Sequence, residues 1–269
     1  MIGPRVARLN HGKRGGDLAL YTADGIVLRT RNLGEADRII TLYTREQGKV
    51  ECVARGSRRA RSRLVGATQL FTHGRYVVYS GRSLDTLNTA DIIESFSDLR
   101  EDLIKLAYAS YVAELLDTSV ELGEPSEDIF ALVLDSFGAL AVGTEPQVIS
   151  RWFELRLMTL LGYAPTVDRC VSCARELTAI GEELFMSARE GGALCRQCLG
   201  RDSTAIRVRR STVEWVKRLL ATEGARLSVV RFSTEDDRLL EALGRAYVDY
   251  RVPRPLKSLG FLASIKDLA

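Results

Sequence analysis

Histidine is almost absent from this sequence, with His11 and His73 the only two among 269 residues. Neither has a cysteine or a second histidine close by, so each reads as an isolated turn residue and not as a ligand or general base. Also missing are a GxxxxGKS/T phosphate loop, a GxGxxG following a strand, HExxH and GxSxG. Their absence removes the common nucleotide-hydrolysis, dinucleotide, zinc-protease and α/β-hydrolase sites. Glu35, Asp37, Asp91 and Glu94 could in principle bind Mg2+, but nothing places three of them together, and they read as strand-end and turn polar groups. A protein without catalytic machinery is expected. No run of about eighteen uncharged apolar residues occurs, and Arg5, Arg8, Lys13 and Arg14 are not followed by an apolar stretch. The expectation is therefore a cytoplasmic chain with no signal peptide, no transmembrane helix and no membrane partner.

What is present is an ordinary globular balance, 46% hydrophobic and 27% charged, at a length where one core tends to divide into two. The net charge of +3 conceals a strong local imbalance, since Cys52 to Leu84 contains seven arginines and no Asp or Glu.

Residues 1–20 are rich in Gly, Arg and Lys without periodicity and suggest a flexible basic arm. From Asp24 the pattern becomes β: GIVLRTR (Gly25 to Arg31), RIITLYT (Arg38 to Thr44), VECVARG (Val50 to Gly56), GRYVVYS (Gly74 to Ser80) and LDTLNTADI (Leu84 to Ile92), punctuated by turn signals. Strands this short protect their edges by closing, and the five-stranded OB-fold is the small barrel most often used on nucleic acid. After Ser97 apolar residues recur at helical spacing, as in Leu103, Leu106, Ala107, Tyr111 and Leu115. Pro125 and Pro146 suit first helical turns, so helices are expected near 98–122, 126–143 and 146–161, with two more over Thr212 to Thr222 and Glu235 to Tyr250. The third, carrying Trp152, Phe153, Leu155, Leu157, Met158, Leu160 and Leu161, is apolar on nearly every face and should be the buried helix of a bundle. The fold class expected is α+β multidomain: an OB-fold barrel over 21–97, an α-helical bundle domain over 98–164 and 202–269, and an inserted zinc ribbon over 165–201.

The ribbon rests on Cys170-Val-Ser-Cys173, a gap of 21 residues, and Cys195-Arg-Gln-Cys198. Two CxxC knuckles joined by a short hairpin are the plan of a site in which four thiolates fill a tetrahedral zinc, one structural ion with no position open to water. A pair of disulfides or a redox CxxC is the competing reading, opposed by the reducing cytosol and by the lack of a βαβ setting. The fifth cysteine, Cys52, lies in an apolar run and reads as a small buried hydrophobe.

The second signal is the stretch holding Arg55, Arg58, Arg59, Arg61 and Arg63, between the third and fourth expected strands, with Arg75, Tyr76, Tyr79 and Arg82 close behind. Arginines this dense need a polyanion or bulk solvent. A merely solvated loop is the bland alternative; a small barrel with aromatics nearby favours a single-stranded nucleic acid. A weaker cluster, Arg207, Arg209, Arg210, Lys217 and Arg218, reads equally as an extension of that footprint or as one helix's wet face.

Taken together, GIVLRTRNLGEADRIITLYTREQGKVECVARGSRR, GRSLDTL, RWFELRLMTLLGYAPTVDRCVSC and LKSLGFL, over about residues 24–265, resemble the bacterial RecO family of recombination-mediator and strand-annealing proteins. The helix ELRLMTLLGY running into CxxC is the most specific part. The resemblance implies the OB-fold, helical domain and inserted ribbon, and binding of single- and double-stranded DNA. It also implies annealing of complementary strands, and work with RecR to load RecA on single strands covered by single-strand-binding protein, in the cytoplasm and at the nucleoid. The arm over 1–20 is extra relative to the family, and some relatives lack part of the cysteine set. An RNA-binding or transcription-associated OB-fold and zinc-ribbon protein is the alternative, and a nuclease stands third.

Overall fold

The computed structural model describes residues 19–179 and 183–266. The expected basic arm, with His11, lies outside the described residues as far as residue 18; Leu20 already opens the first strand.

Five strands, β1 (Leu20–Leu33), β2 (Asp37–Thr44), β3 (Gly48–Ala54), β4 (His73–Tyr79) and β5 (Asp85–Glu94), close into a barrel in the order β1-β2-β3-β5-β4. Closure depends on β1, which is long enough to serve two neighbours. Its first half runs against β4 from Leu20↔Tyr79 to Ile26↔His73, and its second half pairs with β2 down to Leu33↔Asp37, with a bulge between Val27 and Arg29. A parallel contact between β3 and β5, Cys52↔Asp85, completes the ring. This is the OB-fold the strand pattern predicts, with a short helix α1 (Leu64–Ala67) between β3 and β4. Alternation sends Val27, Ile40, Leu42, Cys52, Tyr76, Val78 and Leu87 inward. Burial pushes the Cys52 thiol up to about 12, which makes it the inert core residue expected.

The helical region departs from expectation at two boundaries. Instead of one helix over 98–122 there are two, α2 (Asp98–Glu101) and α3 (Leu103–Ser119), because Asp102 is extended and its carboxylate accepts hydrogen bonds from Ile104 N and Lys105 N. Pro125 lies outside α4 (Glu127–Ala141): Ser126 is the cap, accepting from Ile129 N. Pro146 does open α5 (Pro146–Leu160). That helix is buried on all sides, with contacts to α3, α4, α6 (Arg210–Ala221) and α7 (Thr234–Arg251), as its apolar surface requires. A final helix, α8 (Ser258–Lys266), was not foreseen; it packs along α3, where Glu114 accepts from Lys257 N and Ser258 N.

The cysteine segment forms a hairpin of β6 (Leu184–Ser187) and β7 (Gly192–Cys195). A third strand, β8 (Ile206–Val208), pairs with the other side of β6, past residue 201 and immediately before α6.

Barrel, bundle and ribbon share packing. Ile26, Leu28, Tyr43 and Phe71 on the outer wall of the barrel belong to the same apolar cluster as α3, α4 and α5, which extends to Leu184, Met186 and Leu194 of the ribbon. Charged contacts reinforce the first junction: Arg29 pairs with Asp117 at 2.8 Å, Lys49 with Asp117 at 3.4 Å, and Arg45 with Glu127. At Gly48, with φ of +66°, a Cβ would stand 2.3 Å from the carbonyl carbon of Glu124, so the β2–β3 turn lies directly on the chain entering α4. Among the described residues no helix is long and apolar enough to cross a membrane.

Candidate metal centre and nucleic-acid interface

The hairpin brings the two cysteine pairs together. Cys170 and Cys173 lie on a tight knuckle closed by Ala174 N donating to Cys170 O at 2.9 Å, with Ala174 at φ +58°. Cys195 ends β7 and Cys198 sits in the 3-10 turn that follows. Val171 N donates to Ala193 O at 2.9 Å, pinning the first knuckle against the second. All four Sγ atoms fall within 4.8 Å of one another. The Cys173 to Cys195 sulfur separation of 3.9 Å is close to the spacing of about 3.8 Å that two thiolates take on one tetrahedral ion at about 2.3 Å. It is far from a disulfide bond of about 2.05 Å.

The electrostatics point the same way. Burial pushes the Cys170 thiol up, but backbone N–H groups of Cys195, Cys173 and Ser172 directed at its sulfur outweigh this and bring it to about 6. A hydrogen bond with Ser172 pulls the Cys198 thiol down, but those with Cys195, Cys173 and Cys170 outweigh it and push it up to about 11, so ionising all four sulfurs requires a cation among them. Four soft donors with no oxygen or nitrogen among them fit a closed, tetrahedral metal site such as zinc takes in a ribbon. Such a set could hold a metal ion, and it leaves no coordination position for a reacting water.

The arginine loop lies at one end of the barrel. Ladder register puts Arg38 opposite Ala54 and Cys52 opposite Asp85, so the β1–β2 turn, the chain leaving β3 and the β4–β5 turn share that end. Gly56 N donates to Asp37 Oδ1 at 2.7 Å, Arg58 N to Ala36 O at 2.9 Å, and the Arg58 guanidinium to Gly34 O at 2.9 Å. The loop is thus fastened by its backbone while Arg55, Arg58, Arg59, Arg61 and Arg63 are exposed. Arg82, in the β4–β5 turn, is also exposed at this end. None of these six is ion-paired among the described residues.

The other sequence-derived candidates have different surroundings. Arg75 projects from the middle of β4 with Asp24 and Asp91 as its partners in the flanking strands. Tyr76 faces the barrel interior, donating to Ala67 O at 3.0 Å, and cannot serve as a stacking surface. Arg207 pairs with Glu183 at 2.8 Å and Arg209 with Glu235 at 2.7 Å, while Arg210 donates to Leu177 O at 3.0 Å. Lys217 pairs with Glu214, and the Arg218 guanidinium lies over the Trp215 ring. His73 is also engaged, 2.6 Å from Asp24 at the junction with α4.

Comparison with known proteins agrees with this architecture. A family model described as Recombination protein O N terminal matches residues 18–96, and one described as Recombination protein O C terminal matches residues 100–260. The chain is 42% identical to the DNA repair protein RecO of Symbiobacterium thermophilum over 93% of its length and 99% of the relative's. It is 40% identical to the protein of the same name from Pelotomaculum thermopropionicum, over 91% and 94% of the two chains. A similar protein from Halalkalibacterium halodurans is 32% identical, over 92% and 96%.

Proposed function

Because the chain belongs to the RecO family of DNA repair proteins, we propose that it is a non-catalytic DNA-binding factor of recombinational repair. In this reading it anneals complementary strands and, with RecR, helps load RecA on single-stranded DNA covered by single-strand-binding protein. Its working units are the barrel (21–97), the helical domain (98–164 and 202–269) and the ribbon (165–201). The ion held by Cys170, Cys173, Cys195 and Cys198 is zinc, and it is structural.

The observation that carries the reading is the row of exposed arginines at one end of the barrel, on a loop fastened by hydrogen bonds at Gly56 and Arg58 and without carboxylate partners among the described residues. Such a surface neutralises phosphates and does not read bases, since the side chains are not held in fixed bidentate geometry. Binding is therefore nearly sequence-blind. Arg55, Arg58, Arg59, Arg61, Arg63 and Arg82 make the main contact. Arg75 and the set Arg207, Arg209 and Arg210 lie at its margins, where a phosphate must compete with nearby acidic groups or displace existing partners.

Replacing Arg58, Arg59 and Arg61 together by Ala tests this. Single- and double-stranded DNA affinity should fall in parallel, and the slope of log affinity against log salt should drop by about 2 to 3 units. An unchanged slope would leave the loop merely solvated. Matched RNA oligonucleotides in the same titration separate DNA from RNA recognition, because a 2′-hydroxyl requirement would show as preferential RNA binding.

A further inference from the structure

Annealing by charge neutralisation needs a place for the second strand, and a surface on the helical region has suitable chemistry. Two residues past the end of α5, Gly162, with φ of +87°, turns the chain so that Tyr163 N donates to Met158 O at 2.7 Å. The Tyr163 side of that turn is left open, with the residue 41% exposed. On the last turn of α7 Tyr250 is 53% exposed. The neighbouring Arg251 guanidinium lies over both rings, 4.5 Å from the centroid of Tyr163 and 4.9 Å from that of Tyr250. It is further tied to the β6–β7 turn through Ala188 O at 3.4 Å. Two aromatic rings held by one cation form a stacking step whose side chains are already ordered.

Beside this step is a hollow of about 120 Å³ lined by Ser119, Met158, Leu161 and Val252 with Tyr163 and Arg251. Ser119 Oγ and Arg251 Nε are buried without a hydrogen-bond partner among the described residues. The C-terminal ends of α3, α5 and α7 converge there, and their partial negative charge opposes a phosphate while favouring an N–H donor. A base edge suits the hollow; the sugar-phosphate chain belongs outside, where Arg254 and Lys257 are exposed. The adjacent carboxylates are engaged, Asp249 with Arg245 at 2.9 Å and Glu114 with the amides that start α8.

We propose that Tyr163, Tyr250, Arg251 and Arg254 form a second single-stranded nucleic-acid site, which stacks bases of the complementary strand while the arginine end of the barrel holds the first. The proposal rests on the annealing reading above. It differs from the barrel loop in kind, since affinity here comes from stacking and is less sensitive to salt.

The test uses the full chain with two non-complementary DNA oligonucleotides, the first saturating and the second titrated, together with photocrosslinking of iodouracil-substituted strands. Crosslinks are expected at Tyr163 or Tyr250 in the unaltered protein. Tyr163→Ala with Tyr250→Ala should weaken second-strand capture and slow annealing by about tenfold or more, with first-strand affinity changed by less than about twofold. Tyr163→Phe with Tyr250→Phe keeps both rings and should restore capture. Crosslinks confined to the barrel end, or undiminished second-strand capture by the Ala pair, would overturn the proposal; crosslinking of the unaltered protein decides the matter alone should the Ala pair not fold. Failure to bind any strand would remove the annealing reading itself, whereas first-strand binding without a second removes only this site.

Discussion

Arg151 and Glu154 occupy positions on α5 where the surrounding pattern is apolar. Both are nearly fully buried and paired at 3.1 Å, and Tyr111 donates to the same Glu154 oxygen at 2.5 Å. Glu154 also explains Gly244 on α7, where a Cβ would lie 1.9 Å from the second carboxylate oxygen. Removing one member leaves the other charged in a dry interior, so Arg151→Met should cost roughly 3 to 5 kcal/mol. Adding Glu154→Leu should recover most of the loss, a double-mutant cycle readable by denaturant unfolding. Asp236 is a second case. Ser233 caps α7 by accepting from Asp236 N, and the Asp236 carboxylate accepts from the hydroxyls of Ser233 and of Ser211 and Thr212 at the start of α6. Burial pushes its carboxyl up, but the hydroxyl groups of Ser233, Ser211 and Thr212 hold it below the usual carboxylate range overall. A depressed value means stability that is present above the unfolded value of about 3.9 and lost as pH falls through the folded one. Asp236→Asn should therefore lower stability by about 1 to 2 kcal/mol at pH 7. The gap between the two melting temperatures should close as pH falls below the depressed folded-state value of Asp236.

Among the elements, the ribbon is the one that would depend most directly on the ion proposed for its four cysteines. Its hairpin strands are four residues each, too short to hold without the knuckles. Cys195→Ser should lower bound zinc and open the chain between about Thr166 and Arg201 to protease, while the circular dichroism of barrel and bundle is retained; full order of that segment without metal would contradict a structural role. Period and punctuation made most elements readable: strands by β-branched runs between turns, α5 by its Pro start and all-round apolarity. What could not be read depended either on a local cap or on partners remote in sequence. Asp102 breaks the first long helix by capping the second, a local event that apolar spacing does not register. Helix α8 has too little periodicity of its own and is fixed by Glu114, 143 residues away from Lys257. Strand β8 is three residues long and is defined by pairing with β6. The cysteine cluster was legible because spacing alone dictates it, whereas the stacking of Arg251 on Tyr163 and Tyr250 brings together the ends of two helices that no motif connects.

At the scale of the whole molecule, the proposed annealing makes a definite energetic demand, since the sequence carries no phosphate-loop motif. In the proposed reading, base pairing would supply the driving force, about 1.4 kcal/mol per stacked step, and the protein would lower the barrier by relieving repulsion between two backbones. Annealing should proceed without ATP and should be suppressed by salt over the range that weakens binding at the barrel end; a requirement for ATP, or insensitivity to salt, would contradict the scheme. The shared apolar cluster that joins barrel wall, bundle and ribbon adds a further constraint, and Gly48 is where it bears hardest. With the β2–β3 turn seated against Glu124 and no room for even one carbon between them, the junction acts mechanically as a stop and not as a hinge. If the barrel grips a strand as proposed, tension along that strand would not be relieved by swinging the barrel away from the helices. It would pass into the nucleic acid, so that each protein molecule would impose its own rigid length on the backbone it carries.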